Sequence, residues 1–219
     1  MAGVSRIAML PLEAGEYVLR PVVVWDDDDV ILFDAGLPGM AEQIRRRMEE
    51  AGAPFGRLNR IVITHQDRDH IGALEELTGG TEGARRSIEV LAHELAVPYI
   101  QGEKPLLKSG QLAPPVKVDR TIADGETLPW CGGLIAIHTP GHTPDHLCFY
   151  HIPSRTLIAG DATAASEGRV TGPNPQFTPD MDAARESLKK LAAYDIRTVF
   201  TYHGGEADGD ALREYIASL

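Results

Sequence analysis

Four potential metal donors fall within six residues at His65-Gln66-Asp67-Arg68-Asp69-His70, directly after the apolar run Arg60 to Thr64. That adjacency constrains the fold more than any other feature of the chain. A short buried strand must deliver imidazoles and carboxylates to a sheet edge, where short loops gather catalytic groups. The same pattern recurs. Asp34-Ala35-Gly36, Pro140-Gly141-His142, Gly160-Asp161 and His203-Gly204-Gly205 each place a His or Asp beside glycine at the end of a strand-like run. Isolated, each would mean little. Together they read as a metal site built from several strand ends. A tight loop can aim His65 and Asp67 at one ion and Asp69 and His70 at another, and His142, Asp161 and His203 are the obvious suppliers of the remaining donors.

The rest of the chain is consistent with such a scaffold. Tyr17 to Trp25 and Val30 to Phe33 are rich in β-branched residues and predict strands. The intervening Asp26 to Asp29 lacks the alternation and glycine of a calcium loop, and predicts a solvated hairpin turn. Pro38 to Gly52 predicts a helix with Met40, Ile44 and Met48 on its inner face. A short helix is expected near Ile71 to Leu77. Strands are expected over Ser87 to Ala92, Val116 to Ile122, Leu134 to His138, Leu147 to His151, Thr156 to Ala159 and Arg197 to Tyr202. Met181 to Ala193 and Asp208 to Leu219 predict helices. The loop-rich stretch 92–115, with four prolines, is a candidate flap. The order of elements fits two packed sheets with helices outside, and no repeat or linker argues for a second domain, so 1–219 is read as one domain.

Composition narrows function. The formal net charge is −11, which disfavours phosphate backbones and anionic membranes. Neither a nucleic acid nor a membrane is therefore an expected partner. No apolar run approaches the roughly 18 residues of a membrane span, and the N-terminal apolar stretch is too short for a signal peptide. Cys131 and Cys148 do not form a disulfide framework and are read as core residues of a cytoplasmic protein. His93, His138, His146 and His151 are read as structural, with support of the site from behind as the alternative for His146, and Tyr202 as either core or pocket-lining. Lys104 and Lys108 are read as solvated lysines, with contact to an acidic substrate as the alternative. Serine-hydrolase elbows and phosphate-binding glycine loops do not occur.

The ordered series His65-x-Asp67-x-Asp69-His70, then His142 in Thr139-Pro140-Gly141-His142-Thr143-Pro144, then Asp161, then His203, resembles the metallo-β-lactamase superfamily over nearly the whole chain. Asp34 matches that family's early D-x-G element, which supports the site from behind. The resemblance implies an α+β fold, a four-layer αββα sandwich of two mixed sheets. It also implies a dinuclear centre in which His65, Asp67 and His142 hold one ion and Asp69, His70 and His203 hold the other, with Asp161 bridging. Asp69 would also serve as the catalytic proton acceptor. The implied cofactors are two divalent ions, zinc first, with manganese or iron as alternatives.

Asp67 departs from the family pattern, which carries histidine there. The spacing is kept, so Asp67 is read as a ligand, with a side chain that faces away and a weak or absent first ion as the alternative. Its harder oxygen favours manganese or iron somewhat, though zinc tolerates it. The extra carboxylate leaves the site less positive, so bound water should be acidified less and the working pH should lie higher. The implied activity is metal-assisted hydrolysis of a small-molecule ester, lactone or thioester. Absence of a signal peptide argues against a secreted β-lactamase, the short segment after His203 against a glutathione thioesterase, and the charge against a tRNA nuclease. The stretch from Ala92 to Lys108 resembles one bacterial branch with the same variant motif. An iron-dependent redox enzyme of this fold and a non-catalytic metal binder are the other classes kept open, and a homodimer is a candidate assembly.

Overall fold

The computed structural model describes residues 4–79 and 88–219. These fall into two compact units, Met1–Ile122 and Ala123–Leu219. No helix among the described residues is long and apolar enough to cross a membrane.

The first unit is a six-stranded mixed sheet. Its strands in chain order are β1 (Arg6–Met9), a small hairpin of β2 (Leu12–Ala14) and β3 (Tyr17–Leu19), β4 (Val22–Trp25), β5 (Val30–Phe33), β6 (Arg60–Val62), β7 (Glu89–His93) and β8 (Arg120–Ile122). The sheet order is β1-β4-β5-β6-β7-β8, and β5 through β8 run parallel. Parallel strands are covered on both faces and read as unbroken apolar runs; β5 is buried at every residue. The expected strand over Tyr17 to Trp25 is split in two. Arg20 and Pro21 interrupt it, and Pro21 offers only its carbonyl, which accepts from Leu10 N at 2.8 Å. The hairpin turn at Asp26 is as expected, with the Asp26 carboxylate accepting from the amides of Asp28 and Asp29.

Helix α1 (Ala41–Glu50) buries Ile44 and Met48, and Gly52 follows it at φ +80°, a conformation that favours glycine. Two short helices, α2 (Arg68–Ile71) and α3 (Leu74–Thr78), replace the one expected near Ile71 to Leu77. The strand expected over Ser87 to Ala92 is β7; its first residue, Ser87, lies outside the described residues. Within the candidate flap, one 3-10 turn at Glu94–Ala96 and one turn of helix, α4 (Val97–Ile100), precede irregular chain. The strand expected over Val116 to Ile122 is confined to β8.

The second unit is also a six-stranded mixed sheet, β16-β15-β12-β11-β10-β9. It comprises β9 (Thr127–Leu128), β10 (Leu134–His138), β11 (Leu147–His151), β12 (Thr156–Gly160), β15 (Thr198–Thr201) and β16 (Gly205–Asp208), with a separate hairpin of β13 (Ala164–Ser166) and β14 (Arg169–Gly172). Helix α5 (Met181–Lys190) starts at Asp180, whose carboxylate accepts from Ala183 N at 2.9 Å, and α6 (Gly209–Ala217) is capped by Asp208 in the same way. Leu188, Leu191 and Leu212 of this helical side join Leu157, Val199 and Cys148 in one buried core.

His151 lies inside this core strand, with Nε2 donating to Cys131 O at 3.0 Å and Nδ1 2.7 Å from Ser154 Oγ. Burial holds its imidazole below the ordinary histidine range, against the opposing pull of the Cys131 carbonyl. The folded value therefore lies below the unfolded one. The unfolded chain takes up a proton first as the pH falls, so His151 stabilises the fold above about pH 6.5 and that contribution is lost below it. Unfolding midpoints measured from pH 7.5 to 5 should fall more steeply for the wild type than for His151→Gln.

Candidate metal centre

Strand direction explains where the donors lie in each unit. In the first, parallel β5 and β6 are in register at Phe33 and Val62, so Asp34 and Thr64 emerge at the same sheet edge. Open sheets with parallel strands present ligand sites at such carboxyl ends. Asp34 takes φ +65°, unusual for a non-glycine residue, and is 2% exposed. Its carboxylate accepts from Thr64 N at 2.8 Å and from the Thr64 hydroxyl at 3.0 and 2.9 Å, and Oδ2 accepts from His70 Nδ1 at 2.9 Å. That bond assigns the proton of His70 to Nδ1 and leaves Nε2 as the donor atom a metal would meet.

Thr64 passes the same order to His65. Its hydroxyl proton goes to Asp34, so its oxygen can accept from His65 Nδ1 at 3.1 Å. His65 Nε2 then faces Asp67 Oδ2 at 3.2 Å. With the proton on Nδ1, that pair of lone-pair atoms suits a cation between them. The His65 and His70 rings lie 3.9 Å apart between centroids, tilted by 50°. Asp69 Oδ2 is 3.8 Å from His70 Nε2, and its side chain is 30% exposed. All four sequence-predicted donors of this unit thus lie along the turn that leads from β6 into α2.

Asp67 has partners that the sequence did not disclose. Oδ1 accepts from Gln66 Nε2 at 2.8 Å, and Oδ2 accepts from Lys108 Nζ at 2.5 Å. Lys108, expected to be solvated, is instead ion-paired to the ligand loop from 41 residues away. Such a long-range pairing leaves no local signal in sequence.

In the second unit, β12 ends at Gly160 and β15 at Thr201, side by side and parallel, which brings Asp161 and His203 to one edge. The β10–β11 hairpin turns at that edge too, because β11 runs antiparallel to β12, and His142 rides on its loop. His142 Nε2 is 3.2 Å and His203 Nε2 3.4 Å from the same atom, Asp161 Oδ2. One carboxylate oxygen facing two imidazole nitrogens suits a shared ligand between two cations. The donors of both units are imidazole nitrogen and carboxylate oxygen, which fit divalent zinc, manganese or iron.

His146 holds this arrangement from behind. Its Nε2 accepts from Asp161 N at 3.0 Å, so Nδ1 carries the proton and donates to Thr139 Oγ1 at 2.8 Å. Thr139 Oγ1 lies 3.3 Å from Cys148 Sγ, which donates to Ala159 O. Burial pushes the Cys148 thiol up to about 12, which keeps it protonated and inert. The structural readings of His138 and His93 also hold: His138 Nε2 lies 2.8 Å from Pro144 O, and His93 Nδ1 accepts from Leu95 N. Tyr202 is buried, edge-on to His203 with centroids 5.3 Å apart. Gly141, at φ +139°, lets the His142 loop press against α5: a Cβ there would sit 2.4 Å from Ala184 N.

The comparison with known proteins agrees with this chemistry. The sequence model of the metallo-beta-lactamase superfamily matches residues 21–203, a stretch that runs through both units. The chain therefore belongs to the metallo-β-lactamase superfamily. It is 31% identical over 220 residues to the probable metallo-hydrolase YflN of Bacillus subtilis, covering 86% of this chain and 80% of that protein. It is 30% identical over 196 residues to a hydroxyacylglutathione hydrolase of Pseudomonas aeruginosa, covering 81% of this chain and 63% of that protein. A metallo-beta-lactamase from Cronobacter sakazakii, a HARLDQ motif mutant, shares the fold with a TM-score of 0.73 at 25% identity, covering 97% of this chain and 90% of that one. The fold class expected from the sequence is thereby shown, and the relatives' names indicate a metallo-hydrolase.

Asp34 should matter through His70. Asp34→Asn keeps the shape but loses the charge that fixes the His70 tautomer. Zinc affinity, measured by competition with a chromophoric chelator, should fall by about 10- to 100-fold.

Proposed function

We propose that this chain is a dinuclear metal-dependent hydrolase of a small ester, lactone or thioester. The observation that carries the reading is Asp161 Oδ2, which faces the Nε2 atoms of His142 and His203 at 3.2 and 3.4 Å. That is the donor geometry a bridging carboxylate needs. In this reading His65, Asp67 and His142 would hold one ion, and Asp69, His70 and His203 the other, with Asp161 available to both. Two divalent ions, zinc first, would supply an acidified water as nucleophile, less acidified than with histidine at position 67, and a Lewis acid for the substrate oxygen.

The chain's own residues do the rest. Asp69, beside His70 and partly exposed, accepts the proton of the attacking water and returns it to the leaving group. Asp34 and Thr64 hold His65 and His70 in their donor tautomers, and His146 fixes the backbone at Asp161. Placement on strand ends, with His65, His70 and His142 buried, spares the site reorganisation during reaction. The ester and lactone preference rests on the Pro140-Gly141-His142-Thr143-Pro144 text, and thioesters join it because of the likeness to hydroxyacylglutathione hydrolase. The substrate is a small molecule, and the working compartment is the cytoplasm, where the two buried thiols stay reduced.

A screen of lactones, thioesters, phosphodiesters and β-lactams tests the reading. Turnover should appear with a lactone, ester or thioester, and Asp69→Asn should lower kcat by about 100-fold or more at little cost in KM. Bound iron with oxygen consumption in place of hydrolysis would replace the hydrolase by a redox enzyme, and full activity in His142→Ala would overturn the ligand assignment.

A further inference from the structure

We propose that Lys108 is a built-in competitor for the first metal position, holding the Asp67 oxygen that an ion at His65 would use. The proposal rests on the reading that His65 and Asp67 hold a metal. Asp67 Oδ2 lies 3.2 Å from His65 Nε2, and Lys108 Nζ sits 2.5 Å from that same oxygen. The other oxygen, Oδ1, is already taken by Gln66 Nε2. A divalent ion arriving at His65 therefore finds the facing carboxylate oxygen engaged by an ammonium. Two cations on one oxygen repel, and the doubly charged ion wins. Lys108 has a flexible four-carbon stem with which to leave.

Displacement has a mechanical consequence, because Lys108 belongs to a loop that closes on itself. Leu106 N donates to Gln111 O and Gly110 N to Leu106 O, both at 2.9 Å, and Leu106 is buried. Leu107 N donates to Gln66 Oε1 at 3.0 Å. The 106–111 loop is thus tied to the ligand loop at two points, and both run through the Gln66–Asp67 pair. Filling the first metal position releases Lys108 and removes that tie, which leaves the Leu107–Gln66 bond as the remaining one. The loop loosens when the metal binds and re-latches when it leaves. Leu107, half exposed on this loop, moves with it.

Two measurements on the full-length protein test this. Zinc affinity is read by chelator competition for the wild type, Lys108→Gln, Lys108→Arg and Lys104→Gln. Lys104 is exposed and changes net charge equally without being part of the latch. Lys108→Gln should bind the first zinc about ten-fold or more tightly, while Lys108→Arg and Lys104→Gln stay near wild type. Hydrogen exchange of the 106–111 amides should speed up on addition of zinc to the wild type. Equal or weaker zinc binding by Lys108→Gln, an equal gain in Lys104→Gln, or exchange unchanged or slowed by zinc would each overturn the latch while leaving the hydrolase reading standing. A wild type that binds no zinc, manganese or iron would overturn both.

Discussion

The buried carboxylate of Asp34 is the interaction on which the ligand loop depends. It sits at a positive φ, which costs a non-glycine residue roughly 1 kcal/mol, and at 2% exposure, where an unsatisfied charge could not survive. Its hydrogen bonds to Thr64 and His70 compensate on both counts. The neighbouring backbone adds to the hold: Ala35 N donates to His70 O, Gly72 N to Gly36 O and Ala73 N to Ala35 O. The Asp34-Ala35-Gly36 turn is therefore stitched along α2, and the helix that carries Asp69 and His70 cannot shift without breaking it. From this one carboxylate the order spreads outward, to His70 directly and to His65 through the Thr64 hydroxyl.

The second unit reaches the same end with different parts. There the fixed point is the amide of Asp161, held by His146, whose other ring nitrogen leans on Thr139. Both units use strand ends at one sheet edge, both place a buried polar side chain behind a donor residue (Asp34 behind His70, His146 behind Asp161), and both leave an imidazole Nε2 directed at a carboxylate. Metal sites are tuned by such supporting partners as much as by the ligands themselves. The histidines that touch no proposed metal position are therefore accounted for: His146 positions a ligand, while His93, His138 and His151 satisfy backbone groups.

Much of this was legible in the sequence, for a physical reason. Donors crowded at strand ends beside glycine leave a local mark, so His65, Asp69, His70, His142, Asp161 and His203 could be picked out by type and place. Apolar runs located β5, β10, β11 and β12 for the same reason. The misses have a common cause. The hairpin of β13 and β14 and the edge strand β16 carry mostly small or polar residues, so no apolar alternation announces them. Strand β1 has only partial burial, and its pairing is settled by β4. Pro21 divided a run that looked continuous. Lys108 was misread because its partner lies 41 residues away, and a lysine on an acidic chain looks solvated until the fold brings Asp67 to it.

The central proposal is that the chain holds two divalent ions, with Asp161 as their shared ligand. Native mass spectrometry of the wild-type protein, which counts bound ions per chain directly, tests it most simply. The account predicts two divalent ions per chain, with Asp161→Asn unable to retain the pair. A wild type that holds a single ion at saturating metal, or an Asp161→Asn variant that still holds two, would contradict it.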